Sequence, residues 1–211
     1  MARELQKFEE AEELLTAGLE KHPESERVAI QAAQLQRQMD RPLKALDLAE
    51  AGIQKFPKCA KLWLIKCHVL EHLHNFEQVR DTYDQALQVP EIRKQPLVWL
   101  CAADFERQQK TLTRARTLLQ KARVKILNDP EIWVASIDLE IQASNSKIGA
   151  NLCSQALQKF PNCGKLWALT IRLEPASTKK TKSADALRKM DSSPWVFLEI
   201  AKMFWNEQKM A

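Results

Sequence analysis

Glycine is scarce in this sequence, with four in 211 residues. Sheets, tight turns and phosphate-cradling loops all draw on glycine for positive φ or close backbone approach, so its scarcity argues against each. There is no run of about 18 apolar residues of the kind a membrane-crossing helix requires. Met1-Ala2-Arg3-Glu4 leads into a charged helical pattern, so no signal peptide is expected. The five cysteines, Cys59, Cys67, Cys101, Cys153 and Cys163, are odd in number and include no CxxC pair. Several stand among apolar helix positions, which predicts reduced, mostly buried thiols in a cytosolic or nuclear protein.

Motifs that carry chemistry are missing too. There is no Gly-rich phosphate loop, nucleophile elbow or HExxH, so no catalytic residue and no cofactor is assigned. His68 and His72 lie one helical turn apart beside Cys67, Glu71 and His74, a spacing that would suit zinc. One helix cannot readily present four tetrahedral ligands, however, and the expectation is exposed histidines near a helix end and no metal site.

Helix formers fill the chain: Ala, Leu, Glu, Lys and Gln dominate long stretches. With 45% hydrophobic and 28% charged residues, the chain has the makings of a core and lacks the polar bias of disorder. Within this helical background a repeat stands out. Trp63, Trp99, Trp133 and Trp167 are separated by 36, 34 and 34 residues. Small residues keep the same phase, with Gly18, Gly52, Ala86, Ala122 and Ala156 at steps of 34, 34, 36 and 34. The longer step coincides with a longer connector, Pro90 to Pro96. Two markers holding one phase predict tandem pairs of helices. The small residue admits a close neighbouring helix, and the tryptophan fills the gap between hairpins. These nine positions are therefore read as structural, and roughly five to six hairpins without strands are expected.

In three repeats a glutamate follows the tryptophan by seven residues: Glu106, Glu140 and Glu174. The last part of the chain is irregular. Trp167 to Trp195 spans only 28 residues, Glu174-Pro175 ends a helix, and Ser177 to Lys182 reads as a polar basic link before a short helix, Ser183 to Met190. Residues 1–211 are thus expected to form a single array with an irregular short unit at about 174–194. The chain opens in a second-type helix (Leu5, Phe8, Ala11, Leu14, Leu15, Gly18) and closes after a first-type helix with Trp195, Phe204 and Trp205. Neither end carries a capping repeat with a polar outer face, so a fragment of a longer solenoid is expected. Self-association through apolar positions such as Leu5, Phe8 and Leu15 is expected with it.

Charge is unevenly placed. Residues 1–90 carry 12 Lys/Arg against 15 Asp/Glu, and residues 91–211 carry 20 against 12. Lys179, Lys180, Lys182, Arg188 and Lys189 cluster in the irregular unit, and Arg114, Arg116, Lys121, Arg123 and Lys125 line a second-type helix. Three readings stand open for these residues: a solvated face, contact with an acidic protein segment, or contact with RNA phosphate.

The segments LVWLCAADFE, EIWVASIDLE and KLWALTIRLE, paired with LTRARTLLQKA and FEQVRDTYDQAL, resemble the half-a-tetratricopeptide (HAT) variant of tetratricopeptide (TPR) repeats. From Thr113 onward, TRARTLLQKAR, IWVASIDLE, TKKTKSADALRKM and WVFLEIAKMFWNEQK resemble the C-terminal repeat array of the pre-mRNA-processing factor six family. Departures are Ala29 where tryptophan is expected, and Glu71 eight residues after Trp63. The resemblance implies an all-α, right-handed superhelical solenoid of antiparallel helix pairs. It also implies a nuclear scaffold that bridges tri-snRNP particles in splicing, with spliceosomal snRNP proteins as partners. RNA binding by a helical-repeat protein of RNA processing is the alternative.

Overall fold

In the computed structural model the backbone is described for residues 2–208 and side chains for residues 7–205. Among these residues there are thirteen helices and no strand. Leu5 lies outside the described side chains. The chain divides into two compact units, Met1–Ala102 and Ala103–Ala211. The first holds α1 (Ala2–Lys21), α2 (Glu26–Gln38), α3 (Pro42–Lys55), α4 (Ala60–His72), α5 (Phe76–Gln88), the one-turn α6 (Pro90–Arg93) and the start of α7 (Pro96–Gln108). The second holds the rest of α7 and α8 (Leu112–Lys125), α9 (Pro130–Gln142), α10 (Ser146–Lys159), α11 (Gly164–Leu173), α12 (Ala176–Lys189) and α13 (Pro194–Gln208).

The tryptophan phase falls on α4, α7, α9 and α11, and Ala29 holds it in α2. These are first-type helices. The small-residue phase falls on α1, α3, α5, α8 and α10, the second-type helices. All four tryptophans are buried, and so are Gly52, Ala86, Ala122 and Ala156. A Cβ built on Gly52 would lie 3.0 Å from Leu62 Cδ1, so the missing side chain is what lets α4 approach α3. Gly18 meets Val28 of α2 in the same way, at 3.3 Å. Trp63, Trp99 and Trp167 each donate Nε1–H to a backbone carbonyl six residues earlier: Pro57, Arg93 and Pro161, at 2.9, 2.9 and 2.8 Å. The indole thus ties the incoming loop to the helix while its ring fills the core. The extra length between Ala86 and Trp99 is the helical turn α6, which buries Ile92.

Four of the five turns from a first- to a second-type helix use one left-handed residue, Asp40, His74, Lys110 and Ser144, with φ of 55°, 56°, 61° and 59°, whereas the Glu174-Pro175 turn before α12 uses none. The next amide returns to the helix, as in Arg41 N to Gln36 O at 3.0 Å and Thr111 N to Glu106 O at 2.9 Å. This bonding closes the last helical turn and satisfies carbonyls that would otherwise lack partners. Glycine is the residue best suited to this conformation, yet none of the four glycines occupies it.

Two expectations for the last part of the chain are corrected. First, Ser177 to Lys182 is not a link, because α12 runs unbroken from Ala176 to Lys189. Pro175 precedes the first turn, where a missing N–H costs nothing, and its carbonyl accepts from Lys179 N at 3.0 Å. Second, the repeat step here is 30 residues. Ala156 and Ala186 are both fully buried, Leu166 and Val196 likewise, so Phe197 rather than Trp195 stands where Trp167 stood. Glu174 shares the seven-residue spacing of Glu106 and Glu140 but not their burial. Glu106 and Glu140 are each 2% exposed, whereas Glu174 caps the shortened α11 with extended backbone, because proline follows it.

Candidate interaction surface

Each first-type helix carries polar side chains on one face. In the second unit, Asp104, Asp138 and Arg172 each stand five residues after a tryptophan, and Lys202 stands five after Phe197. They are linked from helix to helix. Arg107 pairs with Asp104 on α7 and donates to Gln142 Oε1 on α9 at 3.2 Å. Arg172 lies 3.6 Å from Asp138 of α9 and clasps Glu199 of α13 at 3.1 and 2.9 Å. Burial raises the Asp138 carboxyl against the opposing pull of Arg172 and Arg107. The Glu199 carboxyl also loses solvent, but Arg172 outweighs this and holds it below the usual carboxylate range. The result is a pre-ordered polar lane with both signs of charge.

The same face recurs in the first unit. Arg37 of α2 reaches His68 of α4 at 3.5 Å, and Asp40 lies 3.9 Å from His72. Together with Pro42 and Val69 they line a groove of about 260 Å³. Burial, and then the Arg37 charge, lower the His68 pKa and favour a neutral imidazole. Among the described residues no group of three or more His, Cys, Asp and Glu could hold a metal ion.

The basic residues picked out in the sequence are not presented as one patch. On α12, Lys182 lies 4.0 Å from Glu174, and the Lys189 ammonium sits 5.0 Å from the Trp167 ring centre. Lys179 is half-buried, while Lys180 and Arg188 are exposed. On α8, Arg114 pairs with Glu106 at 3.0 Å, Arg116 pairs with Glu140 at 2.6 Å, and the Arg123 guanidinium stacks 4.9 Å from Trp133. Much of this positive charge therefore serves the repeat interior.

The in-phase tryptophans are buried, but α13 presents other aromatic side chains outward. Trp195, Phe197, Phe204 and Trp205 are each about half exposed, at 49%, 51%, 53% and 62%. The Lys165 ammonium lies 5.2 Å from the Trp195 ring centre. Among the described residues of α13, Val196, Glu199 and Met203 on the opposite stripe are the buried ones. Sequence reasoning also passed over Gly164: a Cβ there would sit 1.9 Å from Ser193 Oγ, so glycine admits the turn before α13.

Three of the thiols, Cys59, Cys67 and Cys153, are poor nucleophiles. Burial pushes Cys59 and Cys153 up to about 11 each and raises Cys67 further, and all five cysteines are free.

No protein-family model matches the sequence, and no curated protein does either. Solved structures do match in fold. The C-terminal part of a TPR repeat-containing protein from Cytophaga hutchinsonii superposes with a TM-score of 0.65 at 12% identity, covering 88% of this chain and 75% of that one. PilF of Pseudomonas aeruginosa superposes at 0.58 and 17% identity, covering 94% and 91%. YrrB, described as a TPR protein with an unusual peptide-binding site, superposes at 0.53 and 12% identity, covering 87% and 95%. The fold is therefore an all-helical repeat of the TPR type.

Proposed function

We propose that this chain is a non-catalytic scaffold that holds other proteins, and that it works in the nucleus on spliceosomal snRNP proteins. The observation that carries the scaffold reading is the polar lane on the first-type helices. Its charges are linked across helices, and its backing tryptophans are turned into the core, so it offers a fixed pattern of donors and acceptors to an extended segment. That YrrB, which shares the fold, has a peptide-binding site supports the same use. The raised thiols and the lack of catalytic motifs argue for holding rather than transforming. The splicing assignment rests on the sequence resemblance from Thr113 onward.

RNA binding is the second reading, and a specific observation favours it: Trp195 and Trp205 are exposed on α13, and Lys165 lies beside the former. Exposed aromatics next to cations can stack bases. A paired titration of labelled RNA and a tri-snRNP protein at about 50 and 200 mM salt separates the two, since phosphate contacts weaken steeply over that range. The scaffold reading expects protein binding that survives the higher salt and RNA binding that does not. Sequence-selective RNA binding at the higher salt, lost in Trp195→Ala and in Lys179→Glu/Lys180→Glu/Lys182→Glu, installs the RNA reading instead.

A further inference from the structure

The shortened repeat step opens a cavity in the second unit. In three earlier repeats the second-type helix begins thirteen residues after the tryptophan, at Phe76, Leu112 and Ser146. In contrast, α12 begins at Ala176, nine after Trp167, so four residues of turn are missing beside α10. A change of side chain widens the gap. Arg116 stands seventeen residues before Trp133 and reaches from α8 to the carboxylate of Glu140. Ala150 of α10 stands seventeen before Trp167, with no side chain long enough to do the same for Glu174. The two differences coincide in a cavity of about 200 Å³ between α10, the end of α11 and α12.

Ala150, Leu157, Trp167, Leu173 and Pro175 supply the apolar part of its lining. Polar groups in the lining are engaged within the chain. Ser154 Oγ donates to Ala150 O at 3.1 Å, and Thr170 Oγ1 to Leu166 O at 2.9 Å. Glu174 accepts from Thr178 Oγ1 at 2.8 Å and lies 4.0 Å from the Lys182 ammonium. Cys153 is 2% exposed, and burial keeps its thiol neutral. A nucleobase entering here would give up hydrogen bonds to water without replacing them, whereas an apolar side chain gives up none. A phenyl ring fits the space, since a cavity of about 150 Å³ admits benzene. The rim selects by charge. Together α10 and α12 carry seven basic residues against one acidic. Lys182 lines the cavity, and Lys147 stands one helical turn before Ala150.

We propose that this cavity binds an aromatic side chain from an acidic segment of a partner protein, with flanking carboxylates over Lys147 and Lys182. Glu174, tied to Thr178, keeps those carboxylates off the end of α11. The proposal rests on the scaffold reading and adds a second site to it. Arg172 of the polar lane lies two residues from Thr170, which places it on the far side of α11 from the cavity.

The probe is a short dye-labelled peptide of glutamates and aspartates around one phenylalanine, followed by fluorescence anisotropy up to about 1 mM protein, which covers weak association. The wild-type chain is expected to bind it. Replacing the phenylalanine by alanine should weaken binding about tenfold or more, as expected for losing one buried ring. Replacing the acids by their amides should weaken it several-fold at about 50 mM salt and less at about 200 mM, as screening grows. In the chain, Ala150→Arg fills the cavity from within, as Arg116 fills its counterpart, and should weaken the peptide about tenfold or more. Lys147→Glu should weaken the acidic peptide and leave its amide form unchanged. Both are exposed helix positions, so circular dichroism should show wild-type helix content. If Ala150→Arg fails that check, Ala150→Met takes its place. The proposal is overturned if the wild-type chain does not bind the peptide, or if the alanine or amide form binds equally well at the lower salt. It is overturned if Ala150→Arg binds the peptide unchanged. Displacement of the peptide by single-stranded RNA that Ala150→Arg no longer binds overturns it in favour of a base in the cavity. The lane is tested apart from all of these, because a tri-snRNP protein held there binds Ala150→Arg and the wild type alike.

Discussion

Arg116 of α8 holds Glu140 of α9 with both prongs of its guanidinium. Nε donates to Oε1 at 2.6 Å and Nη2 to Oε2 at 3.0 Å, while Asn145 Nδ2 adds a third bond at 2.9 Å. The carboxylate is buried in the second unit's core, where an unpaired charge would be expensive. Hydrogen bonding to Arg116 is the largest cause keeping the Glu140 carboxyl below the usual carboxylate range, against the opposing pull of burial.

Removing the arginine strands that charge. Arg116→Ala is expected to destabilise the second unit by about 2–4 kcal/mol, toward the lower part of the range for breaking a buried pair because the arginine is itself half exposed. A depressed folded pKa contributes stability that is present above the unfolded value near 4.5 and is lost as pH falls through the folded value. Urea melts between neutral pH and about pH 3 should therefore show a steeper acid loss in the wild type than in Arg116→Ala, because carboxylates titrate in that window. Equal slopes would mean that the pair carries no linkage.

The repeat markers should be costly to alter. Trp133→Ala is expected to lose about 3–5 kcal/mol as a buried aromatic truncated in place. Gly52→Leu should lose about 1–3 kcal/mol, because its side chain would press into Leu62, 3.0 Å from where the new Cβ stands. Melts followed by both circular dichroism and tryptophan fluorescence check this, since repeat arrays can unfold in stages. Losses within about 0.5 kcal/mol, the range of ordinary surface substitutions, would contradict these roles.

Lys110 offers a gain. It is exposed and adopts φ of 61°, a conformation that costs an L-residue about 1–2 kcal/mol. Lys110→Gly relieves that cost but adds backbone freedom to the unfolded chain, for a net stabilisation of about 0.5–1 kcal/mol. The same change at exposed Lys121, inside α8, should instead destabilise by about 1 kcal/mol. A rise in urea midpoint for the first and a fall for the second is the expected pair of results.

The sequence by itself determined the period, the helical class and the inward positions. A helix presents every third or fourth residue to its neighbour, so Trp133 and Ala156 could be recognised as core from spacing alone. The same local logic failed where outcomes depend on which element comes next. The pattern Glu174-Pro175 followed by polar residues looked like a link, yet proline preceding a first turn starts a helix as readily as it ends one. Trp195 looked like the next marker, but residue identity does not reveal which ring faces inward, and Val196 and Phe197 hold the register. Only the tertiary structure decided the partners of the buried glutamates, because Glu106 of α7 and Glu140 of α9 both find arginines on α8, Arg114 and Arg116, and nothing in their spacing reveals this. It alone placed the left-handed turns on Asp40, His74, Lys110 and Ser144, where tight closure between packed helices overrides the preference for glycine.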